Sequence, residues 1–145
     1  MKKILTVFLI ALFGATFVYA GKVELGSAAE PQLYLVKIDA SWCGACKALK
    51  EPLAELKTEL ADQPVLFVTL DFTDDNAIKQ TTLHVDALKI RSAVDANTAT
   101  GNVLLLNARN GELIAVLTRN ESVAEMKEAV EAALLTQEKG SGVRL

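Results

Sequence analysis

Two short stretches, residues 33–40 (Leu-Tyr-Leu-Val-Lys-Ile-Asp-Ala) and 65–70 (Val-Leu-Phe-Val-Thr-Leu), are nearly continuous in apolar residues. Runs of this length, rich in β-branched and aromatic side chains, predict strands covered on both faces. Between them, Ala45, Leu49, Leu53, Leu56 and Leu60 recur every three or four positions, which predicts a helix over residues 43–62. Pro52 lies inside it and is expected to kink it. Thr73-Asp74-Asp75 offers caps for a second helix reaching about residue 90, with Ile78, Leu83, Ala87, Leu88 and Ile90 on its inner face. Residues 94–101 read as a loop. Residues 103–106 and 113–117 are two further strands, and Asn110-Gly111 between them favours a hairpin turn. Ser122-Val123-Ala124-Glu125 is a capping box opening a last helix to about residue 135.

The order β-α-β-α-β-β-α over residues 33–135 predicts one α/β domain. A parallel strand pair needs a helical crossover, and the hairpin adds antiparallel strands. The expected result is a central mixed sheet with helices on both faces. Residues 21–32 are expected to be a linker, with a brief strand at 23–25. Residues 136–145, with Gly140-Ser141-Gly142, are expected to form a flexible tail.

The first twenty residues stand apart from this pattern. Met1-Lys2-Lys3 is a positive start, residues 4–18 are almost wholly apolar, and Val18-Tyr19-Ala20 places small residues where a signal peptidase reads them. This predicts a signal peptide over 1–20, cleaved before Gly21. The alternative is a retained anchor through residues 4–20, at the lower limit of a membrane span. Either way the domain is expected to be periplasmic or otherwise exported.

Composition narrows the chemistry. The 145 residues carry a formal charge of −3, so a basic nucleic-acid footprint is missing and no nucleic-acid partner is expected. Loss of Lys2 and Lys3 with the signal peptide would take the charge to −5. Two Cys and one His are too few for a structural zinc site or a disulfide-dense scaffold. No metal and no cofactor are expected. Asp71, Asp74 and Asp75 lack the spacing of a calcium loop and read as helix caps, and His84 has no assigned role.

The remaining chemistry is in Trp42-Cys43-Gly44-Ala45-Cys46-Lys47, at the junction of the first strand and its helix. Cysteines at i and i+3 are neighbours on one helical turn, within reach of a disulfide. Cys43 sits where free N–H groups and the positive helix end favour a thiolate. Cys46 lies one turn inside, more buried. Cys43 then attacks or is attacked, and Cys46 resolves the mixed disulfide. Two other readings exist: an inert staple, which would close too short a loop to stabilise much, and a metal or copper-transfer site.

Residues 40–47, Ala-Ser-Trp-Cys-Gly-Ala-Cys-Lys, resemble the active-site segment of the thioredoxin-like superfamily, and the element order from 33 to 135 is similar as well. The resemblance implies a reduced thioredoxin fold and a thiol–disulfide oxidoreductase with Cys43 as nucleophile and Cys46 as resolving cysteine. It implies that Trp42 shields and shapes the site, with Gly44 and Ala45 between the thiols. Two departures stand out. Thioredoxins place a cis-proline opposite the thiols, in a loop that offers backbone groups to substrate; here Gly101 or Asn102 occupies that place. A trans bond is expected, since a non-proline cis bond costs about 2.5–4 kcal/mol. Lys37 stands six residues before Cys43, where thioredoxins carry a buried acid. It shares a strand face with Asp39, so a plain ion pair and a redox role are both open.

The expected function is an exported oxidoreductase that reduces protein or peptide disulfides as a monomer, supplied with electrons by a membrane redox partner. A disulfide oxidase or isomerase is one alternative. A thioredoxin-like binding or copper-handling module without turnover is the other.

Overall fold

The computed structural model describes residues 30–141; the expected signal peptide and the strand at 23–25 lie outside them. The elements are β1 (Leu33–Asp39), α1 (Gly44–Ala48), α2 (Lys50–Glu59), β2 (Val65–Asp71), α3 (Asp75–Leu88), α4 (Arg91–Asp95), β3 (Val103–Asn107), β4 (Leu113–Leu117) and α5 (Val123–Ser141). They build a mixed four-stranded sheet in the order β2-β1-β3-β4. β1 runs parallel to β2 and antiparallel to β3, and β3 to β4 is antiparallel.

β1 is central, and its alternation feeds two cores. Leu33 and Leu35 pack with Val103 and Leu105 under α2 and α5, against Leu56, Met126 and Val130. Tyr34, Val36 and Ile38 pack on the other face with Leu104 and Leu106, under Val85, Ile90 and Val94. A strand covered on both sides therefore reads as a continuous apolar run.

β2 reads the same way but is an edge strand among the described residues, so the expectation of a second buried strand is corrected: only Leu70 in it is fully buried. The expected single helix over 43–62 is also corrected. It breaks at Leu49 into α1 and α2. Pro52 has no N–H, and its ring opposes the carbonyl four residues earlier, at Ala48, so the chain turns there.

In α3 the inner positions are Thr81 and Val85, not Leu83 and Ala87; Leu83 is 70% exposed. Thr81 is buried because its hydroxyl donates to the Asp71 carbonyl and accepts from the Asp71 N–H, each at 2.9 Å, which ties α3 to the end of β2. Part of the expected loop at 94–101 is helical, as α4. Lys89, at φ 57°, closes α3, and the chain re-enters a helix at Arg91.

Asn110-Gly111 does not form a two-residue turn. The connection spans 108–112, and only Gly111 takes a positive φ, 70°. A Cβ there would lie 2.6 Å from the Lys89 carbonyl oxygen, so the turn packs directly on the end of α3. The capping box forms as expected. The Ser122 N–H donates to Glu125 Oε2 at 2.7 Å, and the Glu125 N–H to Ser122 Oγ at 3.3 Å. The helix it opens continues to Ser141, into residues expected to be a tail.

Candidate active site

The Cys-x-x-Cys segment lies where the C-terminal end of β1 meets α1. Cys43 is the N-cap of α1, in extended backbone (φ −80°, ψ 113°). Its Sγ accepts the Cys46 N–H at 3.1 Å. The two cysteines are joined in a disulfide with Cα atoms 5.3 Å apart. On reduction that N–H stabilises charge on Cys43 Sγ. Cys46 Sγ lies 3.6 Å from the Ile38 carbonyl oxygen. A reduced Cys46 finds an acceptor for its S–H there, which favours the neutral thiol.

Cys46 is the more buried of the two, 2% exposed, but Cys43 is only 6% exposed. Cys43 is therefore less open than a helix-start position suggests. The loop at Gly101 closes over it. Gly101 has φ +88°, and a Cβ there would stand 2.6 Å from Ala45 Cβ and 3.6 Å from Cys43 Sγ. Ala45 and Gly101 thus meet across the site, and the small side chain of each is what permits it. Gly44 has open space around a would-be Cβ, so sterics do not require glycine there. Trp42 is 66% exposed. In this oxidised form it offers an indole surface beside the disulfide rather than a cover over it.

The peptide bond entering Asn102 is trans; among the described residues none is cis. The Gly101 N–H donates to the Ile38 carbonyl at 2.8 Å, and the Ile38 N–H donates to the Asn102 carbonyl at 2.9 Å. Those two loop groups are committed to β1 and are withheld from a substrate. The opposite flank of the loop before α1 is also tied down: the Ser41 N–H donates to Thr73 Oγ1 at 2.9 Å. That contact joins residues thirty-two apart in the chain, and nothing in the local pattern around Ser41 announces it.

Lys37 and Asp39 pair as their shared strand face suggested, with Nζ 3.0 Å from Oδ1. They line a small pocket of about 150 Å³ together with Ser41, Cys46, Lys47 and Lys50. Three cations and one carboxylate thus line the cavity that holds Cys46, and their field opposes the preference for the neutral thiol that the Ile38 carbonyl sets.

The thioredoxin family model matches residues 23–90, a span that contains the Cys-x-x-Cys segment. A thiol:disulfide interchange protein of the thioredoxin family from Chlorobium tepidum TLS has a similar structure. It is 18% identical, with a TM-score of 0.50, over 71% of this chain and 80% of that one. StoA from Bacillus subtilis is 17% identical with a TM-score of 0.47, over 69% and 83%. No curated protein sequence matches the chain. With the matched segment, the mixed sheet and the disulfide at the start of α1 taken together, the chain has a thioredoxin-like fold, and its residues 23–90 match the thioredoxin family.

Proposed function

We propose that this thioredoxin-like thiol–disulfide oxidoreductase is exported and works in the reducing direction on protein disulfides. The observation that carries the direction is the sparse support for charge on Cys43. Among the described residues, its sulfur accepts one hydrogen bond, from the Cys46 N–H. Strongly oxidising dithiols owe their potential to a heavily stabilised reduced form, through a thiolate held well below its ordinary pKa. One backbone donor stabilises the thiolate modestly, so the disulfide stays favoured and the dithiol is a good electron donor.

In this reading Cys43 attacks a substrate disulfide and one substrate thiolate leaves. Cys46 then loses its proton and attacks Cys43 Sγ, releasing the second substrate thiol and forming the Cys43–Cys46 disulfide. Lys37, Lys47 and Lys50 favour the Cys46 thiolate at that moment. Trp42 presents an apolar surface to the substrate. Support for export comes from Lys2-Lys3, the apolar run and Val18-Tyr19-Ala20. In an oxidising compartment the dithiol has to be regenerated, which calls for a membrane-supplied reductant.

Equilibration with a glutathione or dithiothreitol buffer gives the potential directly. A value near that of thioredoxin, about −270 mV, is expected; a value near that of DsbA, about −120 mV, would make the protein an oxidase. The mass of the protein recovered outside the cytoplasm tests the export reading, with a chain starting at Gly21 as the expected result.

A further inference from the structure

Among the described residues, β2 has a neighbouring strand on one side only, so backbone N–H and C=O groups along its outer edge have no partner strand among them. Edge strands usually carry charges, prolines or bulges that discourage pairing. β2 reads Val-Leu-Phe-Val-Thr-Leu-Asp, with no charge before Asp71, and Leu66 is 41% exposed. The other edge, β4, is shorter, and the register beside it shifts between Leu105 and Leu106. That irregularity blunts it in the usual way.

Two hollows flank Phe67, Val68 and Thr69 of β2, one on each face of the sheet. The hollow against α2, about 250 Å³, is lined by Lys37, Lys50 and Lys57 over Leu53 and Phe67. The hollow against α3, about 340 Å³, is walled by Val68, His84, Ala87 and Leu88. No carboxylate lines either hollow among the described residues. Nor do Lys50 and Lys57 have an ion-pair partner among them. In a chain of net charge −3 this is a local positive field beside a strand edge that no described residue pairs.

A strand added to this edge would send alternate side chains to opposite faces, one set among the lysines and the other onto the apolar wall. Lys37 and Lys50 also line the pocket that holds Cys46, so a segment lying here reaches the redox pair. We propose that β2 is the docking edge for a redox partner. The partner would contribute an extended segment of alternating acidic and apolar side chains, paired along Val65–Asp71. The proposal rests on the oxidoreductase reading. It also supplies main-chain contacts that the Gly101 N–H and the Asn102 carbonyl, already bonded to β1, do not offer.

The test uses the full chain and two synthetic seven-residue peptides, one alternating Val with Glu and one alternating Val with Lys. Binding is measured by titration, and amide exchange is followed along Val65–Asp71. The Val/Glu peptide is expected to slow exchange in β2, and its affinity should fall about fivefold in the Lys57→Glu variant, which reverses a charge lining the α2 hollow alone. The Val/Lys peptide should not bind. Equal affinity for both peptides, or no protection of β2, overturns the proposal. It is also overturned if β2 amides are protected in the free chain and become exposed on Glu24→Lys. The chain's own Val23-Glu24-Leu25 would then fill the edge. Turnover of hydroxyethyl disulfide, small and uncharged, is read in parallel. The Lys57→Glu variant, whose lysine does not line the Cys46 pocket, should retain it, and its loss from the wild type would sink the oxidoreductase reading while leaving the binding result to stand by itself.

Discussion

Two strand-to-helix junctions lie side by side at one end of the sheet. β1 and β2 are parallel and in register to their last residues, Asp39 beside Asp71. After β1 the chain enters α1 through Cys43; after β2 it enters α3 through Asp74. Both residues are N-caps in extended backbone, and both satisfy helix N–H groups that would otherwise lack a partner. Asp74 accepts two, from Asn76 and Ala77, each at 2.9 Å. Cys43 accepts one, at 3.1 Å, with a sulfur. The carboxylate is a permanent, charged cap on a helix of fourteen residues. The sulfur is a cap whose strength depends on its chemical state, weaker in a disulfide than as a thiolate. The redox site is thus an ordinary helix start in which the cap has been made reactive.

The largest effects should come from separating capping from reactivity at that junction. Cys43→Ser keeps a good N-cap, because serine oxygen is a preferred acceptor there, but removes the nucleophile. Disulfide exchange should fall to background while the melting temperature stays close to that of the reduced wild type. Cys46→Ser should accumulate mixed disulfides through Cys43, visible by mass. The opposite pattern, with Cys46 as the trapped sulfur, would reverse the assigned roles. Alkylation at graded pH sharpens the point: Cys43 should react as the more acidic thiol.

Next in size is the surface that closes over the sulfurs. Gly101→Ala places a methyl 2.6 Å from Ala45 Cβ and forces φ +88° on an L side chain. A loss of about 1–3 kcal/mol in stability is expected, the usual cost of holding a non-glycine residue in that region. Gly44→Ala, with open space around its Cβ, should leave stability nearly unchanged. If the two variants are equally stable in denaturant titrations, the close approach between Gly101 and Ala45 is not what fixes glycine there.

The permanent cap comes third. Asp74→Ala should cost about 1 kcal/mol, as loss of an N-cap typically does, with exchange activity retained. A larger loss of activity than of stability would mean that the second junction supports the first, through Thr73 and the Ser41 N–H.

These junctions also mark how far the sequence could be read. β1 and its Cys-x-x-Cys turn were legible because a central strand and a helix start each have a local signature. β2 was misread because Val65 to Leu70 has the composition of β1, and composition does not say which strand has a neighbour on both sides. The inner face of α3 was misread for a related reason. Thr81 looks like a surface residue until the Asp71 backbone accepts its hydroxyl, and Leu83 looks like core although nothing covers it. Gly101 was placed near the thiols by counting, but its contact with Ala45 exists only once β3 is laid beside β1.

The smallest expected effect is electrostatic and lies at the start of α5. Hydrogen bonds from the Thr118 N–H and hydroxyl hold the Glu121 carboxyl below its ordinary value of 4.5, and the Ser122 N–H and hydroxyl do the same for Glu125. An acid whose folded pKa is depressed stabilises the fold fully above its unfolded value, and that contribution is lost as pH falls through the lower, folded value. Both carboxylates are open to solvent, so screening keeps the effect small. The expected outcome is a shallow loss of stability setting in below about pH 4.5 and weakened in Ser122→Ala, which removes one donor to Glu125. Carboxyl carbon chemical shifts followed through an acid titration check this residue by residue. A midpoint for Glu125 at or above 4.5 would mean that the capping box does not hold in solution, and that the start of α5 lacks the kind of charged cap seen at Asp74.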